Sequence, residues 1–585
     1  MIVALLMGLF IMSSRIHIVA ATVTIEADGS INPLGAPIST TDNITYTFTA
    51  DINEPVVVER DNIIIDGASH TLYGGGTFSR GIDLTGRSNV TITGIEIKAF
   101  WDGISLWDSS DIKMYGNNIT ANKANGIHLI YSFNSKIFEN NITTNDKGIY
   151  LYSSSNNTIY GNNITNHHND IAVYITNSFN NTLYKNTMNN NGYDLEVHGH
   201  ILSHFMHSIE VSNLIDKKPI YYIVNQTNLV TTPVTHPQIG YLALINCFNA
   251  TVENLNLTSN GQGLLLGYTN NSRITGNSIT NNYDGVWLYS SFGNTISQNN
   301  IALNNYYGVY LNGNSSNNSI SGNNITDNGH CIELDEVSDN MISRNNITNS
   351  EYGIYSWKSS NCSIYENTLT NNDYGVWLES ESSFPNNRFF HNNFVDNYQH
   401  VHIYIAGSYI SGHNFWDNGF EGNYWSNYTG LDLDPDGIGD SSHVIGANNT
   451  DDYPLMGMFS DFNATSEYQI QTVCNSSISN FQFNGTAINF YVTGDNGTAG
   501  FCRICIPAAL MNETFRVFVN GTEILPSPEP LPCSNSTHSY LYFNYSHSTQ
   551  EVIIIPEFSS LIILPLFIIT TLAAAMMFRR RRLIS

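Results

Sequence analysis

Acidic residues at alternating positions form the most specific candidate metal site in the chain. The four aspartates concerned are Asp432, Asp434, Asp436 and Asp440. Oxygen ligands at every second position, with Gly437 in sixth place for a sharp turn, are typical of a calcium-binding loop. The twelfth position is His443 rather than glutamate, so Asp451 or Asp452 must complete the ligand shell. We expect a structural calcium ion here, and the alternative is an Asp-Gly turn that binds nothing.

Histidines concentrated in one short segment offer a second set of donors. They are His198, His200, His204 and His207, with Met206 among them. Imidazole and thioether groups suit copper, and the spacing of two places His198 and His200 on one face of a strand. The sequence has no Met-rich or His-x-x-x-Met series, so solvated or packing histidines are the simpler interpretation.

Two carboxylates are the candidate catalytic residues. Glu333 and Asp335 are two apart on a predicted strand, so their carboxylates would lie about 7 Å apart, within the range of an inverting glycosidase. A polyuronate lyase would need a basic residue beside bound calcium, and these positions offer none. Catalysis on a polysaccharide is therefore the alternative to simple binding.

A repeat of about 22 residues must position these groups. It reads Gly-Ile-x-Leu at Gly81, Gly103, Gly126 and Gly148, and continues at Asp170, Asp194, Tyr241, Gly263, Gly285, Gly308, Cys331, Gly353, Gly375 and His400. The two apolar residues are two apart, so they share one side of a strand and form the core. A fixed period of this length predicts stacked identical units.

An Asn pair follows about 15 residues into each unit, before a second short apolar element. Examples are Asn117-Asn118, Asn140-Asn141, Asn162-Asn163, Asn299-Asn300, Asn323-Asn324 and Asn345-Asn346. Asn tolerates left-handed turns and can bond to the equivalent residue one coil away. Short strands joined by such corners predict an all-β fold, a right-handed single-stranded parallel β-helix. A leucine-rich repeat would require more Leu and a helical stretch.

Outward positions of the second run of repeats are rich in aromatic and acidic residues. The candidate glycan-binding residues are Trp287, Tyr289, Tyr310, Tyr355, Trp357, Trp377 and Glu379. Parallel strands stack about 4.8 Å apart, close to the repeat of a pyranose chain. Sugar C–H groups pack on aromatic faces while carboxylates accept hydroxyl hydrogens. The alternative is that Tyr and Trp favour strands and stack on one another.

The composition of the chain limits the classes of molecule that it can bind. The 585 residues carry a formal net charge of −27 with only 22 Lys and Arg, which excludes nucleic acid as a natural partner. Acidity of this kind attracts cations. Cys474, Cys502, Cys505 and Cys533 cluster near the C-terminus, where disulfides are expected outside the cell.

Both ends of the chain carry apolar runs. Residues 1–21 fit a signal peptide, although a basic n-region is missing. Leu561 to Phe578 would span about 27 Å as a helix, enough to cross a bilayer, and the Arg579 to Arg582 cluster would face the cytoplasm. The ending resembles the C-terminal sorting signals of archaeal surface proteins, which implies either a retained membrane anchor or processing to a lipid anchor. Asn-x-Ser/Thr sequons such as Asn118 are compatible with a glycoprotein, although the Asn-Asn-Ile-Thr corner itself creates them.

The predicted order of domains is a cap with first coils (22–80), β-helix repeats (81–410) with an insert (196–240), a C-terminal cap with the Asp-rich loop (411–460), a small β-sandwich (461–553) and an anchor (556–585). The coils, the insert with Lys218-Pro219-Ile220-Tyr221-Tyr222 and the Gly422-Asn423-Tyr424-Trp425 ending resemble archaeal surface members of the NosD-type β-helix family. That resemblance implies an extracellular β-helix, and it suggests copper delivery as one function of the protein. We expect a non-catalytic glycan-binding surface protein, with a polysaccharide-cleaving enzyme, a structural envelope protein or a copper-handling protein as alternatives.

Overall fold

The computed structural model describes residues 22–557, except 77, 169, 381–385, 406–412, 447–448, 512–513, 527–530 and 532–533. The predicted signal peptide, almost all of the predicted anchor and Cys533 lie outside the described residues. Within the described part of the chain, no helix is long and apolar enough to cross a membrane.

Each coil is built from strands of two to seven residues in which apolar side chains point inward. In Ile104–Trp107 and its successors, the Ile and Leu of Gly-Ile-x-Leu are fully buried, and Ile104 and Leu106 are typical. Successive coils pair in parallel with equivalent residues opposite each other, as Ile127 opposite Ile149. The predicted right-handed parallel β-helix is confirmed.

The first stack of coils has two nine-stranded faces of its own. One consists of Ile31–Asn32, Val23–Ile25, Val56–Val58, Ile82–Asp83, Ile104–Trp107, Asn125–Ile130, Lys147–Tyr152, Ile171–Thr176 and Tyr193–His198. The other consists of Ser208–Ile209, Thr182–Tyr184, Thr158–Tyr160, Lys136–Phe138, Lys113–Tyr115, Thr91–Thr93, Ile64–Asp66, Thr45–Phe48 and Ile38–Ser39.

A third face, of 16 strands, runs through both stacks. In the first stack its strands are Thr71–Tyr73, Glu96–Lys98, Asn118–Thr120, Asn141–Thr143, Asn163–Thr165, Thr187–Asn189 and Leu214–Ile215. In the second stack they are Lys218–Val224, Tyr241–Ile245, Gln262–Gly267, Asp284–Tyr289, Tyr307–Asn312, His330–Asp335, Tyr352–Trp357, Tyr374–Ser380 and Gln399–Ile405.

Two eight-stranded faces complete the second stack. The first consists of Val230–Thr231, Thr251–Glu253, Arg273–Thr275, Thr295–Ser297, Ser319–Ser321, Met341–Ser343, Ser363–Tyr365 and Arg388–Phe390. The second consists of Asn256–Thr258, Ser278–Thr280, Asn300–Ala302, Asn324–Thr326, Asn346–Thr348, Thr368–Thr370, Asn393–Val395 and Tyr424–Trp425.

A chain reversal separates the two stacks. Ile215 pairs with Lys218 in an antiparallel hairpin whose turn residues, Asp216 and Lys217, both have left-handed φ angles of 46° and 68°. A two-residue turn with both angles positive fits the twist of adjoining strands. As a result, the strands of the second stack that carry the Gly-Ile-x-Leu pattern belong to the same 16-stranded sheet as the Asn-Ile-Thr strands of the first stack. The insert expected at 196–240 thus contains this hairpin, the short 3₁₀ helix Leu202–Phe205 and part of a further coil.

Buried Asn side chains line the corners of both stacks. Asn299 Nδ2 donates to Asn323 Oδ1 at 3.0 Å, and Asn323 Nδ2 donates to Asn345 Oδ1 at 2.9 Å. The predicted bonding of each Asn to its equivalent one coil away is confirmed. The second Asn of each pair forms a parallel exposed ladder, in which Asn324 Nδ2 donates to Asn300 Oδ1 at 2.8 Å. The amide nitrogens of these sequons are therefore engaged with neighbouring side chains.

The C-terminal part contains two antiparallel sheets and a short hairpin. The hairpin pairs His443–Gly446 with Asn449–Asp451. One sheet contains Met458–Asn463, Gln469–Cys474, Ala499–Pro507 and His538–Ser546, and the other contains Ser477–Phe483, Ile488–Thr493, Gln550–Pro556, Phe515–Val519 and Thr522–Ile524. Side chains of both sheets share one apolar cluster, which includes Ile470, Val492 and Val517. We call this unit the β-sandwich.

Candidate functional site

One outward surface of the second stack carries the aromatic and acidic residues expected from the sequence. We call it the ladder face, and it runs over the strands from Asp284–Tyr289 to Gln399–Ile405. Strand pairing places in one column Trp287, Tyr310, Glu333, Tyr355, Trp377 and His402. A second column, two residues further along each strand, includes Asp335, Trp357 and Glu379.

Exposure differs along the two columns, the second of which begins at Tyr289. Tyr310, Tyr355 and Trp377 are partly exposed, whereas Trp287 and Tyr289 are only 2% and 8% exposed. The expectation that Trp287 and Tyr289 face solvent is therefore wrong.

The 3₁₀ helix Leu202–Phe205 is the physical reason for this burial. The Phe205 ring lies over both side chains, with its centroid 6.1 Å from that of Trp287 and 5.2 Å from that of Tyr289. The Tyr289 hydroxyl also donates to the carbonyl of His200 at 2.8 Å.

Hydrogen bonds fix the orientation of the side chains on the ladder face. The Tyr310 hydroxyl donates to Asp335 Oδ2 at 2.8 Å, and the Tyr355 hydroxyl donates to Glu379 Oε2. Trp377 Nε1 lies 3.4 Å from the same Glu379 oxygen. The ladder face is thus a pre-oriented set of rings and carboxylates rather than a row of independent side chains.

A further aromatic column was missed by reasoning from the sequence. It contains Tyr307, His330, Tyr352 and Tyr374, each of which immediately precedes the first residue of a Gly-Ile-x-Leu unit. The Tyr352 and Tyr374 rings stack at 5.4 Å. Recurrence of an aromatic residue at this position of the repeat was the available signal.

Glu333 and Asp335, the candidate catalytic residues, have separate partners. Glu333 Oε2 lies 2.6 Å from Nδ1 of His330, and Asp335 accepts the Tyr310 bond. Burial raises the pKa of both carboxyls above the usual range, and the Asp335 charge adds to the rise at Glu333. The pKa values of both carboxyls are thus shifted in the direction that favours a general acid.

Ring stacking is not confined to the ladder face. His128, Tyr150 and Tyr174 stack at 4.8 and 4.9 Å in the first stack. On a different sheet, rings stack at 4.8 to 4.9 Å through Tyr115, Phe138, Tyr160 and Tyr184. In-register parallel strands thus align rings wherever the repeat supplies them, so stacking alone does not indicate a ligand.

Two buried carboxyls meet where the stacks join, and sequence reasoning missed them. Glu196 ends the ladder of the first stack and contacts Nε2 of His198, and Asp284 precedes Gly285 in the second. Burial, reinforced by the charge of Glu196, raises the pKa of Asp284 well above its usual range. The His198 ring lies 4.3 Å from that of Trp287, so the ladders of the two stacks touch here.

The candidate copper ligands do not converge. His198 contacts Glu196, the backbone of His200 donates to His204 Nδ1 at 3.2 Å, and His207 is buried. In the described ranges, the single group of three or more His, Cys, Asp or Glu side chains close enough to share a metal ion lies in the Asp-rich loop.

That group consists of Asp432, Asp434 and Asp440, whose carboxylate oxygens lie within 4.8 Å of one another. Asp436, the fourth predicted ligand, is not part of it, and its Oδ1 accepts the backbone N–H of Ile438 at 2.8 Å. Asp451 is not part of it either, and its Oδ2 accepts a hydrogen bond from Trp425 Nε1 at 2.8 Å. Three oxygen donors fit a calcium ion whose shell is completed by water or backbone carbonyls.

A cavity of about 800 Å³ lies beside this loop, between the end of the second stack and the β-sandwich. Its lining includes His391 and Glu421 from the stack side and Arg503 from the sandwich. Glu421 contacts the Arg503 guanidinium and lies 2.8 Å from His391 Nε2. Although burial raises it, the Arg503 charge and the His391 hydrogen bond bring the pKa of Glu421 down to about 2.

The cysteines of the β-sandwich are buried thiols in this structure. Cys474 and Cys502 lie directly opposite each other on antiparallel strands, whereas Cys505 lies opposite Gln471. The fourth cysteine of the predicted disulfide set, Cys533, lies outside the described residues.

Two family models match the chain. Residues 35–216 match the model described as "Periplasmic copper-binding protein (NosD)", and residues 241–395 and 332–450 match "Right handed beta helix region". These matches support the predicted resemblance to NosD-like right-handed β-helix proteins. A search of curated proteins found no match.

Solved structures with a similar chain course have low sequence identity. The Dettilon tailspike protein (gp208) has 13% identity and a TM-score of 0.23, with 86% of this chain and 87% of the other covered. A mutant of the tailspike protein of E. coli bacteriophage HK620, in complex with pentasaccharide, has 12% identity and a TM-score of 0.27, with 87% of this chain and 79% of the other covered. The periplasmic alginate epimerase AlgG has 11% identity and a TM-score of 0.24, with 67% of this chain and 83% of the other covered. At such scores, no ligand or activity is carried over.

Proposed function

We propose that the ladder face binds an extracellular polysaccharide without cleaving it. The observation that carries this proposal is the register of partly exposed rings at Tyr310, Tyr355 and Trp377 with the carboxylates of Asp335 and Glu379 on the strands of neighbouring coils. A step of about 4.8 Å per coil is close to one sugar residue. Rings offer faces to sugar C–H groups, and carboxylates accept hydroxyl hydrogens.

The carboxylates distinguish this face from a packing stack. The Tyr115 to Tyr184 ring column stacks as closely, yet its strands carry Lys113, Lys136 and Thr158 at the other outward position. On the ladder face, Asp335 and Glu379 hold the neighbouring tyrosine hydroxyls in place. Polar groups that are already oriented lose little entropy when a ligand binds.

A glycan array with the purified full-length chain and calcium tests the proposal. We expect binding by the wild type and its loss in a Tyr355→Ala/Trp377→Ala variant. Tyr160→Ala is the matched control, because it removes a stacked ring on another face. Absence of wild-type binding to every glycan would overturn the proposal and favour a structural envelope role.

Cleavage of the polysaccharide is the second candidate, supported by the raised pKa values of Glu333 and Asp335. If the pair acts as acid and base, incubation with the bound glycan releases reducing ends, and Glu333→Gln abolishes the release. An unchanged glycan would leave binding as the whole function.

The proposal includes calcium as a structural ion at Asp432, Asp434 and Asp440, and it includes no role for copper, because no described group of three or more His, Cys, Asp or Glu side chains contains His198, His200, His204 or His207. It places the ladder face outside the cell, where polysaccharides occur, with anchoring by the C-terminal segment as predicted from the sequence.

A further inference from the structure

Four aromatic residues on adjacent coils form a right-angled arrangement that we call the aromatic corner. They are Tyr352, Tyr355, Tyr374 and Trp377. Tyr352 stacks on Tyr374 at 5.4 Å, and Tyr355 stacks on Trp377 at 6.2 Å. The two ring pairs are perpendicular to each other. The planes of Tyr352 and Tyr355 meet at 89°, and so do the planes of Tyr374 and Trp377.

Carboxylates border the aromatic corner. Glu379 Oε2 accepts the Tyr355 hydroxyl and lies 3.4 Å from Trp377 Nε1. Glu333 lies one coil below Tyr355, and Glu351 is close enough to Tyr352 to help burial raise the pKa of that phenol to about 12. All four rings are partly exposed. Partly exposed rings and the carboxylates of Glu351 and Glu379 thus share one surface, whereas Glu333 is buried.

Positive charge is scarce on this surface. Between His330 and Ser380 the Lys and Arg residues are Arg344, which pairs with Glu366 and Asp461, and Lys358, whose ammonium lies 4.2 Å over the Trp357 ring and 3.6 Å from Glu336. His330 lies 2.6 Å from Glu333. The carboxylates of this region are Glu333, Asp335, Glu336, Glu351, Asp373 and Glu379, together with Asp339 and Glu366 at its edges. A polyuronate would bring its own carboxylates against this charge.

We propose that the ladder face selects glycans that carry protonated amino groups, with the sugar ammonium held at the aromatic corner beside Glu379. An ammonium gains from the negative faces of Tyr and Trp rings and from a charge-assisted hydrogen bond to a carboxylate. A neutral sugar gains only the contact of its C–H groups with the aromatic rings. A uronate is repelled by the carboxylates on this surface. This inference rests on the proposed binding of polysaccharide to the ladder face and names the ligand class.

Three hexasaccharides separate the possibilities by calorimetric titration of the full-length chain. They are a β-1,4-glucosamine hexamer, its fully N-acetylated form and a mannuronate hexamer. The first two share a backbone and, at a pH low enough to protonate the free amino groups, differ in charge at every residue. We expect the glucosamine hexamer to bind about tenfold more tightly than the acetylated form, which corresponds to one favourable ionic contact. The difference should shrink at 0.5 M salt, because added ions screen exposed charges.

Glu379→Gln should reduce the preference for the amine to less than about threefold while it leaves binding of the acetylated hexamer within about twofold, because Gln still accepts the Tyr355 bond. Glu253→Gln is the matched control on another face, where Glu253 pairs with Arg273 at 3.0 Å. It should leave all three affinities unchanged.

Each other outcome has a distinct meaning. Equal binding of the free and acetylated hexamers would overturn the amine preference and leave polysaccharide binding intact. Tightest binding of mannuronate would overturn the charge argument. Binding of none of the three, together with a blank glycan array, would overturn both proposals.

Discussion

The carboxylate of Glu421, in the segment after the last full coil, contacts the guanidinium of Arg503 in the β-sandwich. The two side chains are 13% and 4% exposed. Because this contact joins residues 82 positions apart, it connects the second stack with the β-sandwich beside the cavity of about 800 Å³.

Removal of the Glu421 charge should loosen this connection. We expect Glu421→Gln to destabilise the protein by about 3 kcal/mol, since breaking a buried ion pair leaves the opposite charge poorly compensated. Chemical denaturation followed by Trp fluorescence measures the change. Glu523→Gln, which removes an exposed partner of Arg516, is the control and should have a much smaller effect, because solvent screens this ion pair. Equal effects of the two variants would contradict this account.

The same carboxyl predicts a stability change in acid. Its folded-state pKa of about 2 lies below the ordinary glutamate value, so ionised Glu421 stabilises the folded state above about pH 4.5. That contribution is lost as the pH falls from about 4.5 to about 2. Thermal unfolding at several pH values should show a drop in this window that is absent in Glu421→Gln. A drop of the same size in the variant would assign it to other groups.

Adjacent asparagines should differ sharply in their importance for stability. Asn323 is 2% exposed and bonds to Asn345, to Asn299 and to the carbonyl of Ile296, whereas Asn324 is exposed. Asn323→Ala leaves buried groups without partners and should cost about 2 to 4 kcal/mol. Asn324→Ala should cost less than about 1 kcal/mol. Denaturant titration of the two variants compares them directly, and a larger effect at Asn324 would contradict the assigned ladders.

The two tryptophans of the first column should separate stability from binding. Trp287→Ala removes a buried ring under Phe205 and should lower stability by about 3 to 5 kcal/mol. Trp377→Ala removes a partly exposed ring and should abolish glycan binding with a smaller loss of stability. Melting temperatures and glycan titrations of both variants test this. Trp377→Ala that binds like the wild type would exclude that ring from the site.

Calcium should bind at the Asp-rich loop and raise the melting temperature progressively as its concentration increases, because it binds the folded state. Asp434→Asn removes one of the three converging carboxylates and should lose the effect. Asp452→Asn, in the same cavity but outside the group, should retain it. Terbium luminescence reports occupancy directly, and an equal signal from both variants would place the ion elsewhere.

The repeat predicted the coils well because inward Ile and Leu and corner Asn recur with one period. It did not reveal the hairpin at Asp216 and Lys217, since a two-residue reversal without Gly or Asn has no clear pattern. Nor did it reveal that Phe205, 82 residues before Trp287 in the chain, covers that ring. The aspartates were recognised by spacing alone, yet spacing could not show that the Asp436 carboxylate lies outside the group formed by Asp432, Asp434 and Asp440.

Equivalent residues pair from coil to coil throughout the second stack, for example Ile332 with Ile354 and Ile354 with Val376. Duplication or deletion of one whole repeat would therefore lengthen or shorten the ladder face by about 4.8 Å without disturbing the register of the coils that remain. Under the proposed function, the number of repeats sets the length of polysaccharide that the ladder face can contact. Gain or loss of single repeats in the gene would change that length.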